Sequence, residues 1–356
     1  MGSNRTIPDV SCAGHPLMSM DAAGQLLAGR AEVPLRRMEH LSNMNDVFRV
    51  TDRRGHLFFV KLHTSEWYRE AEDTATVVRR EHLAYNMLRR HGVRLQYESW
   101  TDFSRSIITR SALITTELPG RPLPTLLRAR RHVLPIVAAL GRYLAQVHSI
   151  RLPVAGYLEF SGDPAVVDRD FPDRGSWWDS HPCQKASNLI SYANTAFSQA
   201  KGIPDSVLVA LRDAFLANTP ALEAEYKRTT FVLNNLHPFH FHLSRVRKEW
   251  KVTGVYDFEV TSSGNPSIDM ELMDLQLTPQ LQSLGWRKTF LESYGLPVLL
   301  ETYKVMLLVH LLAELPRAPS ALIPQPEWTL ARLPELANAS SMDELDWYPS
   351  KTSRVN

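Results

Sequence analysis

The chain has 356 residues, 44% of them hydrophobic and 22% charged, an ordinary balance for a water-soluble protein with ample core for one large or two-lobed fold. Its 40 Lys and Arg against 38 Asp and Glu leave a net charge of +2, too even for an electrostatic nucleic-acid binder, and no apolar run reaches the ~18 residues of a membrane span. Two cysteines, Cys12 and Cys183, make no disulfide framework, and the polar start carries no secretory pattern, so a reduced, cytoplasmic protein is expected.

After a polar start, the mixed pattern from Met20 to Leu35 predicts a short helix leading into a strand. Two β-rich runs, Leu41–Thr51 and Leu57–Leu62, flank a polar turn over Asp52–Gly55 and predict a hairpin, with Lys61 near its end. The turn entering it reads Ser42-Asn43-Met44-Asn45, without glycine. Arg79 to Gly92 predicts a helix with Leu83, Met87 and Leu88 near one face, Glu81 at its opening and Gly92 as its stop. The apolar run from Ser111 predicts a strand ending in the turn Glu117-Leu118-Pro119-Gly120.

Val133 to Ile150 is strongly amphipathic, with Ile136, Leu140, Leu144 and Val147 on one face and His148 as a packing residue. Arg151 to Asp179 is rich in Gly, Pro and Asp and predicts a long irregular loop closed by Trp177 and Trp178, a substrate-side element by its length. Helical patterns follow at 183–201, 204–226 and 298–315.

The densest chemistry lies between Phe231 and Asp274. Leu233-Asn234-Asn235-Leu236-His237-Pro238-Phe239-His240-Phe241-His242-Leu243 reads as a loop entering an apolar strand. A turn over Arg245–Glu249 leads to a second strand, Val252-Thr253-Gly254-Val255-Tyr256, ending at Asp257-Phe258-Glu259. His237, His240 and His242 invite a zinc reading; a strand would put His240 and His242 on one face, with His237 on the bend before it.

Leu236-His237-Pro238, then Asp257-Phe258, then Gly264-Asn265-Pro266 with Asp269, resemble the catalytic and metal loops of the aminoglycoside phosphotransferase-like family, small-molecule relatives of the protein kinases. The resemblance implies an α+β, two-lobed protein-kinase-like fold. Residues 1–118 would form a β-rich nucleotide-binding lobe, and residues 119–356 a helical lobe with the catalytic loops and the acceptor region. It further implies ATP or another nucleoside triphosphate with Mg²⁺ or Mn²⁺. Lys61 would hold the phosphates and Glu81 would fix Lys61, while Ser42 and Asn45 stand in the phosphate-covering turn and Thr116 and Leu118 in the adenine hinge. Asp257 takes the metal-ligand position, and Asp269 a loop-bracing one.

Three positions depart from that pattern: Asn235 stands at the catalytic Asp, Phe239 at a Gly, and His240 at a metal-ligand Asn. An amide at 235 accepts a hydrogen bond but cannot take a proton, and general-base assistance is typically worth ~10²–10⁴-fold. Glu259, His237 or the substrate could substitute for it. An imidazole at 240 implies a weaker Mg²⁺ site, tolerance of Mn²⁺, or no second metal. Two functions are therefore expected. One is phosphorylation of a hydroxyl on a small molecule or peptide natural product; the other is a pseudokinase that binds nucleotide or peptide as the partner subunit of another protein. Neither a nucleic acid nor a membrane is an expected partner.

Overall fold

The computed structural model describes residues 18–42, 45–63, 74–153, 156–158, 186–199, 203–225, 227–281, 285–315 and 326–345. Cys12, Asn43, Met44, the Gly162–Asp179 loop with Trp177 and Trp178, and Cys183 lie outside them. The chain divides into two compact units: residues up to His82 with Tyr97–Glu117, and Leu83–Gln96 with everything from Leu118 onward.

In the first unit, α1 (Met20–Leu26) is capped by Ser19, whose side chain accepts from the Ala22 N–H at 3.1 Å. β1 (Arg37–Ser42), β2 (Asp46–Thr51) and β3 (Leu57–Leu62) follow, then α2 (Thr74–Arg90), whose residues from Leu83 on count with the second unit, β4 (Ser99–Asp102) and β5 (Ala112–Thr116). The strands form one antiparallel sheet in the order β1-β2-β3-β5-β4. Strand alternation decides what is buried: Phe48, Val50, Phe58, Val60, Leu62, Ala112 and Ile114 form a core with Ala23, Leu26 and Leu27 of the α1 region. Lys61 points to the other side of β3 from Val60 and Leu62, and pairs with Val47 of β2 and Leu113 of β5.

α2 begins five residues before the Arg79 start expected from the sequence, so Glu81 lies well inside it. Thr74, Thr76, Val77 and Val78 are β-branched and weak helix formers, which hides this turn from a propensity reading; burial of Ala75, Val77 and Val78 overrides propensity. Gly92, at φ +79°, supplies the left-handed residue after its end.

The second unit contains β6 (Arg121–Pro122), α3 (Leu123–Arg128), α4 (Val133–His148), β7 (Gly156–Tyr157), α5 (Ala186–Gln199) and α6 (Asp205–Glu225). Next come β8 (Thr230–Val232), β9 (Phe241–Val246), β10 (Glu249–Val255), β11 (Ser262–Gly264), α7 (Ser267–Leu281), α8 (Trp286–Tyr294), α9 (Leu300–Glu314) and α10 (Pro326–Ala337). Two small antiparallel sheets, β10-β9-β6 and β7-β11-β8, carry the loops of interest. Ala193, Phe215, Leu222, Val232, Ile268, Val305, Met306 and Val309 tie α5, α6, β8, α7 and α9 into one core. Among the described residues no helix is long and apolar enough to cross a membrane.

The β9–β10 turn is tighter than the Arg245–Glu249 span expected. Arg247 and Lys248 alone form it, both at positive φ, as a two-residue hairpin loop requires. A register shift between Val252 and Gly254 bulges β10 at Thr253, whose Oγ1 donates toward the carbonyls of Pro119 and His242. A Cβ on Gly254 would sit 2.8 Å from the Leu118 side chain, which would have to shift to admit it.

Candidate active site

β8 delivers the chain to Leu233, where hydrogen bonding ceases to be strand-like. The loop is held from below by Asp269, in the first turn of α7, a helix whose start is fixed by Asn265 Oδ1 accepting from the Ser267 N–H at 2.8 Å. One Asp269 oxygen accepts from the Leu233 N–H at 2.7 Å, the other from the Asn234 N–H at 2.8 Å. The Leu233 acceptor also receives His148 Nε2–H at 3.0 Å, so His148 Nδ1 is left to accept from the Tyr294 hydroxyl at 2.8 Å. All of Asp269, His148 and Asn234 are buried. Burial, then the Asp269 charge, raises the Tyr294 hydroxyl well above its ordinary range and keeps it a donor. Asn234, at φ +58°, takes the left-handed conformation that turns the chain outward.

That turn presents Asn235 to Asp257. Two residues past the end of β10, Asp257 also adopts a left-handed conformation, at φ +71°, while its neighbour Phe258 is buried. Asn235 Nδ2 donates to Asp257 Oδ2 at 2.7 Å. His240 stands beside them, with Nδ1 2.9 Å from the Asn235 carbonyl oxygen and Nε2 3.4 Å from Asp257 Oδ2. A carbonyl only accepts, so Nδ1 carries the proton and Nε2 turns toward the carboxylate. Asp257 and His240 side chains are 18% and 14% exposed. A carboxylate oxygen and a ring nitrogen converging at that distance fit a divalent cation held by both.

His240 does not lie on a strand, as the sequence suggested. It closes a one-turn 3-10 helix, Pro238–His240, capped by His237 Nδ1 accepting from the Phe239 N–H. The proline at its first position and the bonding capacity of His237 favour this turn over an extended entry into β9. Burial, then the neighbouring His240, holds the His237 imidazole below its ordinary range, and its ring stacks on Phe239 at 4.8 Å. His242 meets Tyr256 edge-on instead. Among the described residues, these three histidines and Asp257 do not gather as a zinc-type ligand set.

In the first unit, Lys61 Nζ reaches Glu81 Oε1 at 2.7 Å, with the two side chains 15% and 1% exposed. His63, buried, brings Nε2 to the same oxygen at 2.8 Å. Two positions after Lys61, it shares the strand face of Lys61, and that spacing is the sequence signal by which it could have been found. The end of β3 is held by Arg110, whose guanidinium donates to the carbonyls of Leu62 and His63 and to Asp46. No sequence pattern pointed to Arg110.

The remaining expected residues are spread. Ser42 ends β1 opposite Val47, and Asn45 precedes β2. Thr116 commits its N–H to the Glu98 carbonyl and its hydroxyl to the Glu98 N–H, both at 3.0 Å, so its amide is not available to a base. Leu118 packs against Gly254.

With this geometry in view, comparison with known proteins is decisive at the family level. Residues 41–308 match the model of the phosphotransferase enzyme family, APH. The chain belongs to that family. Among solved structures, this phosphotransferase-family chain is similar to an aminoglycoside phosphotransferase from Alicyclobacillus acidocaldarius, with 14% identity and a TM-score of 0.54 over 92% of this chain and 97% of that one. It is also similar to a macrolide 2′-phosphotransferase from Brachybacterium faecium, with 16% identity and a TM-score of 0.52 over 88% and 97%. The GDP and kanamycin complex of APH(2″)-IIIa aligns at 12% identity and a TM-score of 0.53 over 88% and 98%. These likenesses establish the kinase-like α+β fold. No curated protein sequence gave a significant match.

Proposed function

We propose that this phosphotransferase-family protein moves the γ-phosphoryl group of ATP or another nucleoside triphosphate onto a hydroxyl of a small molecule or peptide natural product in the cytoplasm. The observation that carries the reading is the Lys61–Glu81 ion pair, an ammonium held by a buried carboxylate at 2.7 Å. Such a pair orients a lysine for phosphate oxygens, and a GDP complex in a chain of similar fold supports nucleotide use.

In this reading Lys61 neutralises phosphate charge, Glu81 and His63 fix Lys61, and Asp257 with His240 holds a divalent cation. That cation, Mg²⁺ or Mn²⁺, supplies charge neutralisation on the phosphate oxygens when bound. The acceptor oxygen forms a bond to the γ-phosphorus as the β–γ bridging P–O bond breaks, and the hydroxyl proton leaves to solvent or phosphate. Asn235, with Nδ2 bonded to Asp257, offers Oδ1 to orient that hydroxyl without taking its proton. A loose transition state asks little of a base.

One observation favours a second reading, a pseudokinase acting as a nucleotide- or peptide-binding partner of another protein: position 235 carries an amide that donates to the metal-ligand carboxylate. Nucleotide titration with Mg²⁺ or Mn²⁺, followed by thermal unfolding and by product analysis against hydroxyl acceptors, separates them. Stabilisation with transfer supports the enzyme; stabilisation without transfer in wild type and Asn235→Asp supports the partner subunit; no stabilisation with either metal overturns both nucleotide readings.

A further inference from the structure

We infer that the cation position formed by Asp257 and His240 selects a nitrogen-accepting transition-metal ion of the Mn²⁺ type over Mg²⁺. The inference deepens the proposed phosphotransferase reading, and rests on it for the presence of a cation there; the selectivity itself follows from this chain's own residues.

Three features carry it. First, the Asn235 carbonyl at 2.9 Å from His240 Nδ1 holds the hydrogen of a neutral ring on that nitrogen, so Nε2 is the nitrogen that faces Asp257 Oδ2. An outer hydrogen bond of this kind orients a metal-ligating imidazole and makes it more basic. Second, Nε2 and Oδ2 stand 3.4 Å apart, so a cation between them would draw on both donors. That separation is wider than the ~3 Å between adjacent ligands of octahedral Mg²⁺, whose bonds are ~2.0–2.1 Å. Third, the donor set is one nitrogen and one carboxylate oxygen. Mg²⁺ takes hard oxygen ligands and gives up its water reluctantly, whereas imidazole suits the first-row transition metals.

The remaining polar groups reinforce the pairing. Asn235 donates to Asp257 Oδ2 as a neutral partner and brings no charge of its own. The His237 ring accepts from the Phe239 N–H, so its Nδ1 is engaged by its own turn.

The test uses the full-length protein with Mn²⁺ alone, then with Mg²⁺ as competitor. Electron paramagnetic resonance counts bound Mn²⁺, and spin-echo modulation reports whether a nitrogen nucleus is directly coordinated. Wild type is expected to show imidazole-nitrogen modulation, absent in His240→Asn, and loss of Mn²⁺ binding in Asp257→Asn. The ratio of the Mg²⁺ to the Mn²⁺ dissociation constant should fall ~10-fold or more in His240→Asn, the scale on which ligand-shell changes act. No Mn²⁺ binding, Mn²⁺ without nitrogen modulation in wild type, or an unchanged ratio in a folded His240→Asn each overturns the inference. Nucleotide titration by thermal shift runs beside it. Nucleotide binding without nitrogen coordination leaves the phosphotransferase reading standing and removes the selectivity; nitrogen coordination without nucleotide binding does the reverse.

Discussion

Asn235 and Asp257 are joined by a 2.7 Å hydrogen bond from the amide of one to the carboxylate of the other. The contact ties the loop after β8 to the end of β10. Replacing Asn235 by Asp would place two carboxylates at this separation, and like charges that close do not both ionise unless a cation intervenes. Asn235→Asp should therefore melt below wild type in the absence of divalent metal and gain more than wild type from added Mg²⁺ or Mn²⁺. Thermal unfolding across a metal titration checks both halves; equal metal responses would refute the arrangement.

Asp269 does more than brace a turn. Removing its charge leaves the buried Leu233 and Asn234 amides short of a strong acceptor, and His148 short of its partner. Asp269→Ala should cost about 3 kcal/mol or more, since buried donors left unpaired cost ~1–3 kcal/mol each. Urea unfolding should show a lower midpoint with an unchanged slope.

Lys61 and His63 converge on one oxygen of Glu81, so the three side chains form a coupled unit. Truncating one member of a buried pair typically costs ~3–5 kcal/mol, while replacing both members with apolar groups costs less than the sum. A double-mutant cycle on Lys61→Met and Glu81→Met should therefore show non-additivity of about 1 kcal/mol or more. Lys61→Met should also abolish nucleotide-dependent stabilisation, which tests its proposed phosphate role separately from its structural one.

Asp274 is buried and receives the guanidinium of Arg287 at 2.7 and 3.0 Å, with Thr278 and Tyr303 donating as well. Burial pushes its carboxyl up, but the Arg287 charge and these hydrogen bonds outweigh burial and hold it below the ordinary carboxylate range. A lowered native value means the unfolded chain takes up the proton first as pH falls. Its stabilising contribution is complete above the ordinary carboxylate range and is lost on acidification through the depressed native value. Arg287→Met should flatten that part of the acid-unfolding profile while lowering stability at neutral pH.

Gly141 of α4 packs directly against the α8 backbone: a Cβ there would lie 2.5 Å from the Phe290 carbonyl oxygen, a backbone atom that cannot swing aside. Gly141→Ala should destabilise by ~1–3 kcal/mol despite the better helix propensity of alanine. A rise in melting temperature would contradict the packing.

Much of the first sheet was readable from alternation, because Phe48, Val50, Phe58 and Val60 are buried on one face while Lys61 is not. The α4 helix was equally plain, since Ile136, Leu140, Leu144 and Val147 repeat at helical spacing and all are buried. The early start of α2 was hidden because its first residues are poor helix formers whose burial is decided by distant parts of the chain.

The sequence by itself determined which residues could meet: Leu236-His237-Pro238 and Asp257-Phe258 named a family, and Asn235 and His240 named its departures. Tertiary structure decided what those departures do. Hydrogen-bond direction is a property of three-dimensional neighbours, so only the folded chain could show that Asn235 offers its amide to Asp257 and its carbonyl to His240. The same holds for Arg110, whose partner Asp46 lies too far along the chain for local spacing to connect them.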